Sequence, residues 1–119
     1  MKSRNEVHVA NLTAHTLRVY DGETVIAEWP TTEPIARREE QRQPLPALHT
    51  SQGDVPVVGT TYGSVVDLPE PVEGTVYVVS RVLAEAVRER TDVFFPAEEV
   101  RDSDGRIVGC RSFGRFMAG

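Results

Sequence analysis

Valine is the most frequent apolar residue of this 119-residue chain, with 18 copies against six leucines and three isoleucines. Because β-branched side chains lose rotamer freedom in a helix and pack well on a pleated sheet, this bias favours strands. The length is that of one domain, and a chain of this size buries about two-thirds of its surface when it folds. We therefore expect a single β-rich domain over residues 1–119, with residues 1–5 and 115–119 frayed.

Charge and cysteine content argue against several function classes. A formal net charge of −5 disfavours general affinity for nucleic acid or for an anionic membrane. No apolar stretch approaches the roughly 18 residues of a membrane helix, and the start has no apolar signal-peptide core, so a cytoplasmic location is expected. The single cysteine, Cys110, cannot form an internal disulfide, and with three histidines it gives no convincing zinc site. No metal and no cofactor are expected.

Alternating polar and apolar residues predict three strands in the first 30 residues, at 6–10, 16–20 and 24–29. Asp21-Gly22 lies between the second and third of them. This pair is a hairpin signal, because glycine adopts positive φ freely and aspartate tolerates it. We expect the three strands to form an antiparallel meander.

Residues 30–52 carry four prolines around a charged run from Arg37 to Arg42. Charge and proline both protect an exposed sheet edge from pairing with another chain, so this segment predicts a solvated edge strand or loop. The alternative is that Arg37 and Arg38 lie on the rim of a ligand pocket or contact a second subunit.

Further strands are predicted at 55–62 and 65–68, with a turn at Gly63-Ser64 between them. The run 75–79 is apolar almost throughout. It therefore predicts a central strand that is covered on both faces of its sheet.

One amphipathic helix is predicted at about residues 81–90, with Ser80 as its N-cap. A hairpin follows over residues 100–110, and Gly109 in its second strand indicates a bulge or a close backbone approach. The order of elements is that of an α+β fold with a mostly antiparallel sheet or a partial β-barrel, one short helix and a C-terminal hairpin.

The junction between the central strand and the helix is the strongest candidate for a binding site. A helix start has unpaired amides and a partial positive charge, and Arg81 lies where an acidic residue is usual. Ser80, the amides and Arg81 together suit a phosphate or carboxylate group. The alternative is an ion pair between Arg81 and Glu85 one turn later. No glycine-rich phosphate loop precedes the helix, which argues against a P-loop nucleotide hydrolase.

Five further residues are candidate ligand contacts. Thr60 and Tyr62 offer a hydroxyl and an aromatic ring that can stack on a base, although the segment is also typical of a strand end with a half-buried tyrosine. Asn11 and His15 lie in the first turn, where such side chains more commonly bond their own backbone. Arg111 adds a guanidinium group that suits an anion.

Hydrolytic or nucleophilic chemistry has weaker support. The histidines at positions 8, 15 and 49 show no spacing that links them to a nucleophile. Cys110 is more typical of a buried apolar thiol, although neighbouring Arg111 would lower its pKa. The acidic residues at 98, 99, 102 and 104 lack the alternation of a calcium loop and indicate a solvated hairpin. The chain is therefore not expected to be an enzyme.

Several short motifs occur together: Val9-Ala10-Asn11-Leu12-Thr13 followed by His15, Thr60-Thr61-Tyr62-Gly63, Leu68-Pro69, Tyr77-Val78-Val79-Ser80-Arg81, and Gly105-Arg106-Ile107-Val108-Gly109-Cys110. In these the chain resembles a family of short phage- and prophage-associated proteins that also occur in actinobacterial genomes. The resemblance covers most of residues 7–113 and is thin between 30 and 54, and family members often have proline where Ala14 stands. It implies a phage or mobile-element setting, but no reaction and no catalytic residues.

Two functions of different classes follow. The first is a non-catalytic phage-type accessory protein that binds a small anionic, nucleotide-like ligand and so sequesters an immune signal, as a homo-oligomer with pockets at subunit boundaries. The second is a structural or protein-interaction module, such as a virion accessory or a regulator of a host protein, with no small-molecule ligand. An enzyme acting on a nucleotide or sugar is a third, weaker alternative.

Overall fold

A computed structural model describes residues 6–118, and the expectation that residues 1–5 are frayed lies outside this range. The elements in chain order are β1 His8–Asn11, β2 Leu17–Asp21, β3 Thr24–Trp29, β4 Arg37–Thr50, β5 Gly53–Val66, β6 Thr75–Val78, α1 Arg81–Ala86, β7 Val93–Arg101 and β8 Ile107–Gly114. Six of the strands form one curled sheet, a half-barrel, which together with α1 is called the body below. The strands β4 and β5 form a separate two-stranded hairpin.

The sheet of the body has the strand order β1-β6-β7-β8-β2-β3. β1, β6 and β7 run parallel to each other, β8 runs antiparallel to β7, and β2 runs parallel to β8 and antiparallel to β3. The expected α+β class, with a partial barrel, a short helix and a C-terminal hairpin, is confirmed in outline. The expectation of a mostly antiparallel sheet is wrong, because three of these five strand pairs are parallel.

The first strand does not join the predicted N-terminal meander. β1 lies at one edge of the sheet and pairs with β6, from His8 opposite Thr75 to Asn11 opposite Val78. Of the three strands, β2 and β3 alone form a hairpin, and Gly22 in its turn has a φ of 61°, as the Asp-Gly signal predicts. Alternation predicts that β1 is a strand but contains no information about which distant strand it pairs with.

The segment from β6 to β7 is a strand–helix–strand crossover. Val78 and Val79 are fully buried in two different apolar clusters, which confirms the predicted strand covered on both faces. Ser80 is the N-cap, as predicted, and its hydroxyl accepts from the amide three residues later at 3.3 Å. The helix ends at Ala86, short of the predicted residue 90, since Val87 leaves the helical conformation with φ −124° and ψ 36°.

Apolar side chains cover both faces of the curled sheet. The larger cluster includes residues of α1 and comprises Ala10, Leu12, Ala36, Tyr77, Val79, Leu83, Ala84, Val93 and Phe95. The smaller cluster comprises Leu17, Val78 and Cys110, with Val9, Val19, Trp29, Phe94 and Phe113 packed against them. The stability of the body therefore comes from two apolar layers, one on each side of the sheet.

The junction between β2 and β8 is short and tightly packed. In the register of these two strands, Val19 lies opposite Cys110. Gly109 lies where the two strands approach closely: a Cβ atom there would be 2.7 Å from the carbonyl oxygen of Arg18 and 2.6 Å from Cε1 of Tyr20. The close backbone approach predicted for Gly109 is therefore confirmed, and no larger residue fits without displacing β2.

β4 and β5 form an arm, residues 37–66, that gives the molecule a longest dimension of 68 Å. Of the two alternatives predicted for residues 30–52, the structure has the solvated strand over Arg37–Thr50, whereas residues 30–36 form a loop. The turn predicted at Gly63-Ser64 is wrong, because β5 continues through it. Pro44 lies opposite Val58, and proline is tolerated there because each strand of a two-stranded ribbon has a free edge.

An ion pair fixes the chain between α1 and β7. The guanidinium group of Arg90 donates to both carboxylate oxygens of Asp92, at 2.9 and 2.7 Å, and to the carbonyl oxygen of Pro69 at 2.9 Å. The two side chains are only 18% and 17% exposed. Hydrogen bonding from Arg90 lowers the pKa of Asp92, against the opposing effect of burial.

We expect acid to weaken this contact. Because the folded-state pKa of Asp92 lies below its ordinary value of about 3.9, the pair adds to the free energy of unfolding above that pH, and the contribution is lost as the pH falls through the folded-state pKa. In urea unfolding, Asp92→Asn should be less stable than wild type by about 1–2 kcal/mol near neutral pH. The difference should shrink at about pH 3. A difference that does not change between the two pH values would contradict the assignment.

Candidate functional site

A cavity of about 940 Å³ opens at the carboxyl ends of the parallel strands β1 and β6. Its floor is apolar and includes Leu17, Ala97 and Val108, which come from three neighbouring strands. The carboxyl ends of parallel strands are a common place for ligands, because the connecting segments that follow the strands converge there. The predicted anion site at Ser80 and Arg81 therefore lies on a cavity of a kind that commonly binds ligands.

Three of the predicted site residues lie together on this cavity. His15 follows β1, while Ser80 and Arg81 follow β6, and all three contribute to its wall. The parallel pairing of β1 with β6 is what brings these two segments side by side. The other four predicted site residues do not line the cavity: Asn11, Thr60, Tyr62 and Arg111.

Arg81 stacks on aromatic rings. Its guanidinium carbon lies 5.2 Å from the ring centre of Phe95 and 5.5 Å from that of Phe116. Within residues 6–118, no ion pair joins Arg81 to Glu85, the alternative that its spacing suggested. A guanidinium group over a ring retains its in-plane donors, which remain directed away from the ring and available to a carboxylate or phosphate.

Asn11 is fully buried, and its amide is occupied by the protein itself. The side-chain nitrogen donates to the carbonyl oxygens of His15 and Trp29, at 2.8 and 3.0 Å. The side-chain oxygen accepts from the backbone amide and the hydroxyl of Thr13, at 3.0 and 2.6 Å. Asn11 thus joins the end of β1 to the end of β3 and to the first turn. Its side chain bonds the protein's own backbone, which was the alternative to ligand binding given for this turn.

The predicted residues on the arm do not line the cavity to which Ser80 contributes. Tyr62 is 46% exposed, and the guanidinium carbon of Arg38 lies 4.7 Å from its ring centre. Thr60 lies beside Gly59 on the same strand, in a shallow hollow of the arm. The ring and the hydroxyl therefore belong to the arm surface and not to the cavity at the helix start.

Arg111 and Arg37, which the sequence analysis names as possible ligand contacts, both have partners within the chain. Arg111 donates to the carbonyl oxygen of Gly22 at 2.9 Å, and so supports the β2–β3 turn. Arg37 lies 3.8 Å from the carboxylate of Asp67, a residue with a φ of 62° at the base of the arm. Positive φ is uncommon for a residue with a side chain, so the chain direction at the base of the arm is tightly constrained.

The charges on the cavity are mixed. Arg18 faces it but also pairs with Glu28 at 2.6 Å. Glu98 and Glu99 line the same space, and Glu98, with a φ of 55°, accepts from the Ser112 hydroxyl at 2.8 Å. Two carboxylates repel an anion, so the cavity is less favourable for a phosphate than Arg81 alone suggests.

Cys110 has the properties of a structural thiol. It is fully buried in the smaller apolar cluster, and its Sγ contacts the carbonyl oxygen of Arg18 at 3.5 Å. Burial raises the pKa of the thiol, which opposes formation of a reactive thiolate. Over the described range, 6–118, no group of three histidine, cysteine or acidic side chains is placed to hold a metal ion.

Comparisons of the chain with protein-family models, with curated proteins and with solved structures give no match in any of the three. No helix in the part of the chain that the structure describes is long and apolar enough to cross a membrane.

The sequence analysis does not identify one residue of the cavity and two residues of the arm as candidate contacts. The sequence predicts a solvated hairpin at Glu98, and only the sheet topology places this residue on the same cavity as Ser80. Leu48 and Val55 are exposed near the end of the arm, and the sequence analysis does not identify them as candidate contact residues. Their signal was the pair of apolar runs on either side of Thr50-Ser51-Gln52-Gly53, which is a hairpin pattern.

Proposed function

We propose that the chain is a non-catalytic protein-interaction module and that the arm is its contact element. One observation carries this proposal: none of the 28 residues in the two arm strands is buried. A two-stranded hairpin without a covered face is marginally stable in water. A ribbon of this length therefore gains its order by packing against something outside the chain.

The arm has one apolar face, which supports the proposal. Leu45 pairs with Val57 and Leu48 with Val55, so these four side chains share one side of the ribbon. Leu48 is 61% exposed and Val55 is 47% exposed. We call these four residues the apolar face of the arm. Burying them would remove from water apolar surface that a chain of this size ordinarily keeps in its core.

The dimensions of the molecule also support the proposal that the arm is a contact element. Its radius of gyration is 18.0 Å. A compact chain of this length has a radius of about 13.5 Å. The difference reflects a domain with a long projection, a shape that places a contact surface far from the body. With the family resemblance, this suits a virion accessory or a regulator of a host protein.

Affinity purification with two matched variants tests the proposal. Val55→Glu places a charge on the apolar face, whereas Val58→Glu places the same charge on the opposite side of the same strand, where the valine is 57% exposed. The tagged wild-type chain and Val58→Glu should retain the same protein from cells that express the chain naturally, and Val55→Glu should lose it. Identical retention by all three chains, or none by any, would contradict an arm-based function.

Binding of a small anionic, nucleotide-like ligand is the second candidate. The observation in its favour is that His15, Ser80 and Arg81 share one cavity, with Arg81 joined to no carboxylate within the described residues. The ligand would lie over the apolar floor and direct its phosphate or carboxylate to Arg81. Sequestration without turnover requires only such fixed donors and a surface for the base.

Thermal-shift and calorimetric screening against cyclic di- and trinucleotides, ADP-ribose and NAD tests this candidate. Arg88 is a matched control for Arg81, because its guanidinium carbon also lies over Phe116, at 5.3 Å. A ligand held by the cavity should lose at least about tenfold in affinity with Arg81→Gln, the equivalent of 1.4 kcal/mol, and should be unaffected by Arg88→Gln. If none of these compounds bound to the wild-type chain, the ligand-binding candidate would be refuted.

A further inference from the structure

We infer that the partner of the arm contributes an extended segment of its own chain, which pairs with the outer edge of β5 and adds a third strand to the ribbon. This inference rests on the proposed function, because it names how the partner bonds to the arm. The outer edge of β5 is the side of residues 57–62 that faces away from β4.

The backbone of β5 has outward-pointing hydrogen-bonding groups along this edge. Pro44 lies opposite Val58, and proline has no N–H to give to a neighbouring strand. In an antiparallel ladder, directly opposed residues alternate between pairs that exchange two hydrogen bonds and pairs that exchange none. The Pro44–Val58 pair is therefore of the second kind, so the N–H and C=O groups of Val58 point away from β4.

The same geometry repeats every two residues along this stretch. Arg42 lies opposite Thr60, and Glu40 lies opposite Tyr62, in the same register as the pair before them. The shifts in register fall outside the stretch, beyond Glu40 towards the base of the arm and beyond Leu45 towards its end. Thr60 and Tyr62 therefore also direct their amides and carbonyl oxygens outwards. Both residues are exposed, so these groups are available to another strand.

The two edges of the ribbon differ in the features that prevent pairing with another chain. Proteins protect exposed edges with charged residues and proline. The edge of β4 has both, because Glu40, Arg42 and Pro44 occupy its outward positions. From residue 57 to residue 66, β5 has neither a proline nor a charged side chain, and its valine, threonine and tyrosine residues favour strands. β5 is therefore the edge that is open to strand addition.

A strand on this edge also accounts for the order of the arm. A two-stranded hairpin is marginally stable in water, whereas three strands with an apolar face are stable. Val57 belongs to the apolar face, so an added strand would place a side chain beside it on the same side of the ribbon. Backbone hydrogen bonds would supply the affinity and the alternate side chains the specificity.

The chemistry of the edge defines the segment that fits it. The side chains of Val58 and Tyr62 on the other side of the ribbon are uncharged, so the matching residues of the added strand are uncharged as well. Proline in that segment would remove the donors that the carbonyl oxygens of β5 need. A net charge of −5 on each copy opposes self-association, so the segment belongs to a different protein.

Proline substitutions on the two edges test strand addition in the affinity purification. Thr60 and Arg42 lie opposite each other, and proline at either position removes an outward N–H that the ribbon itself does not use. Thr60→Pro should retain at least about tenfold less of the partner than the wild-type chain, the equivalent of 1.4 kcal/mol. Arg42→Pro, on the protected edge, should retain as much as wild type. Thr60→Val keeps the amide and should also retain the partner.

Two substitutions at Val58 separate the backbone from the side chain. Val58→Pro removes the outward amide and should lose the partner, whereas Val58→Glu keeps the amide and should retain it. Circular dichroism shows whether the body of each variant remains folded. Full retention by Thr60→Pro and Val58→Pro, or equal loss by Thr60→Pro and Arg42→Pro, would overturn strand addition.

The inference and the proposed function fail differently. If Val55→Glu loses the partner while Thr60→Pro and Val58→Pro retain it, the arm is still the contact element and strand addition is wrong. If the wild-type chain retains nothing, both fail. Light scattering covers the remaining occupant: a wild-type chain that dimerises by itself, and no longer does so with Thr60→Pro, would assign the edge to a second copy and overturn the inference.

Discussion

Replacing Asn11 with alanine is expected to lower the free energy of unfolding by about 3 kcal/mol. The substitution removes two donated and two accepted hydrogen bonds at a position with no solvent access. It leaves the carbonyl oxygen of Trp29 without this donor and the amide of Thr13 without this acceptor, and partly buried polar groups that lose their partners are costly. Urea unfolding followed by circular dichroism measures the loss.

Thr13→Val is the matched control for this prediction. It removes the hydroxyl that donates to Asn11 but leaves the amide of Asn11 and its bond to Trp29 in place. The expected cost is about 1 kcal/mol. If Asn11→Ala cost no more than Thr13→Val, Asn11 would not be the residue that joins the ends of β1 and β3.

Gly109→Ala is expected to destabilise the body by about 2–3 kcal/mol. The added methyl group would meet the backbone oxygen of Arg18 as well as the ring of Tyr20, and a backbone atom cannot rotate away as a side chain can. The strands β2 and β8 must therefore separate at the junction where Val19 pairs with Cys110. Thermal unfolding should show a lower midpoint for this variant.

Gly63→Ala provides the comparison within another strand. A Cβ atom at Gly63 would lie 3.3 Å from the Cβ of Glu39 on the exposed arm, where a small shift relieves the contact. Its effect should stay within about 0.5 kcal/mol. Equal destabilisation by both substitutions would show that the loss at Gly109 reflects a general property of strand glycines rather than the close junction.

Features of the fold that depend on a single residue type could be predicted from the sequence. The Asp21-Gly22 turn, the Ser80 cap and the close approach at Gly109 each follow from what a single residue type can do. The covered strand at β6 followed from its uninterrupted apolar run. These features need no information about the rest of the chain.

The pairing of distant strands was not predictable in the same way. The alternation in β1 is equally compatible with β2 or β6 as its neighbour, and tertiary packing selects β6. The arm was obscured because neither of its faces is buried, so the run from Arg37 to Gln43 has no apolar period to reveal a strand. Pro44 and Pro46 then suggested a loop, although a ribbon with free edges accepts them.

The candidate site was predictable only in part. The side-chain chemistry of His15, Ser80 and Arg81 predicts anion contacts, and the parallel β1–β6 pair places the three residues on one cavity. The same chemistry predicts Asn11 as a ligand contact, but its side-chain amide already makes four hydrogen bonds within the fold. Whether a polar side chain is available or already bonded depends on tertiary neighbours, which a single sequence does not contain.

Amide hydrogen exchange, followed by mass spectrometry on the purified chain and on the complex retained in the affinity purification, tests whether the arm is ordered by a protein outside the chain. The proposed function predicts that amides of β4 and β5 exchange rapidly in the free chain and become protected in the complex, with Val55→Glu exchanging rapidly throughout. Slow exchange of the arm in a free, monomeric chain, or rapid exchange that persists in the complex, would contradict it.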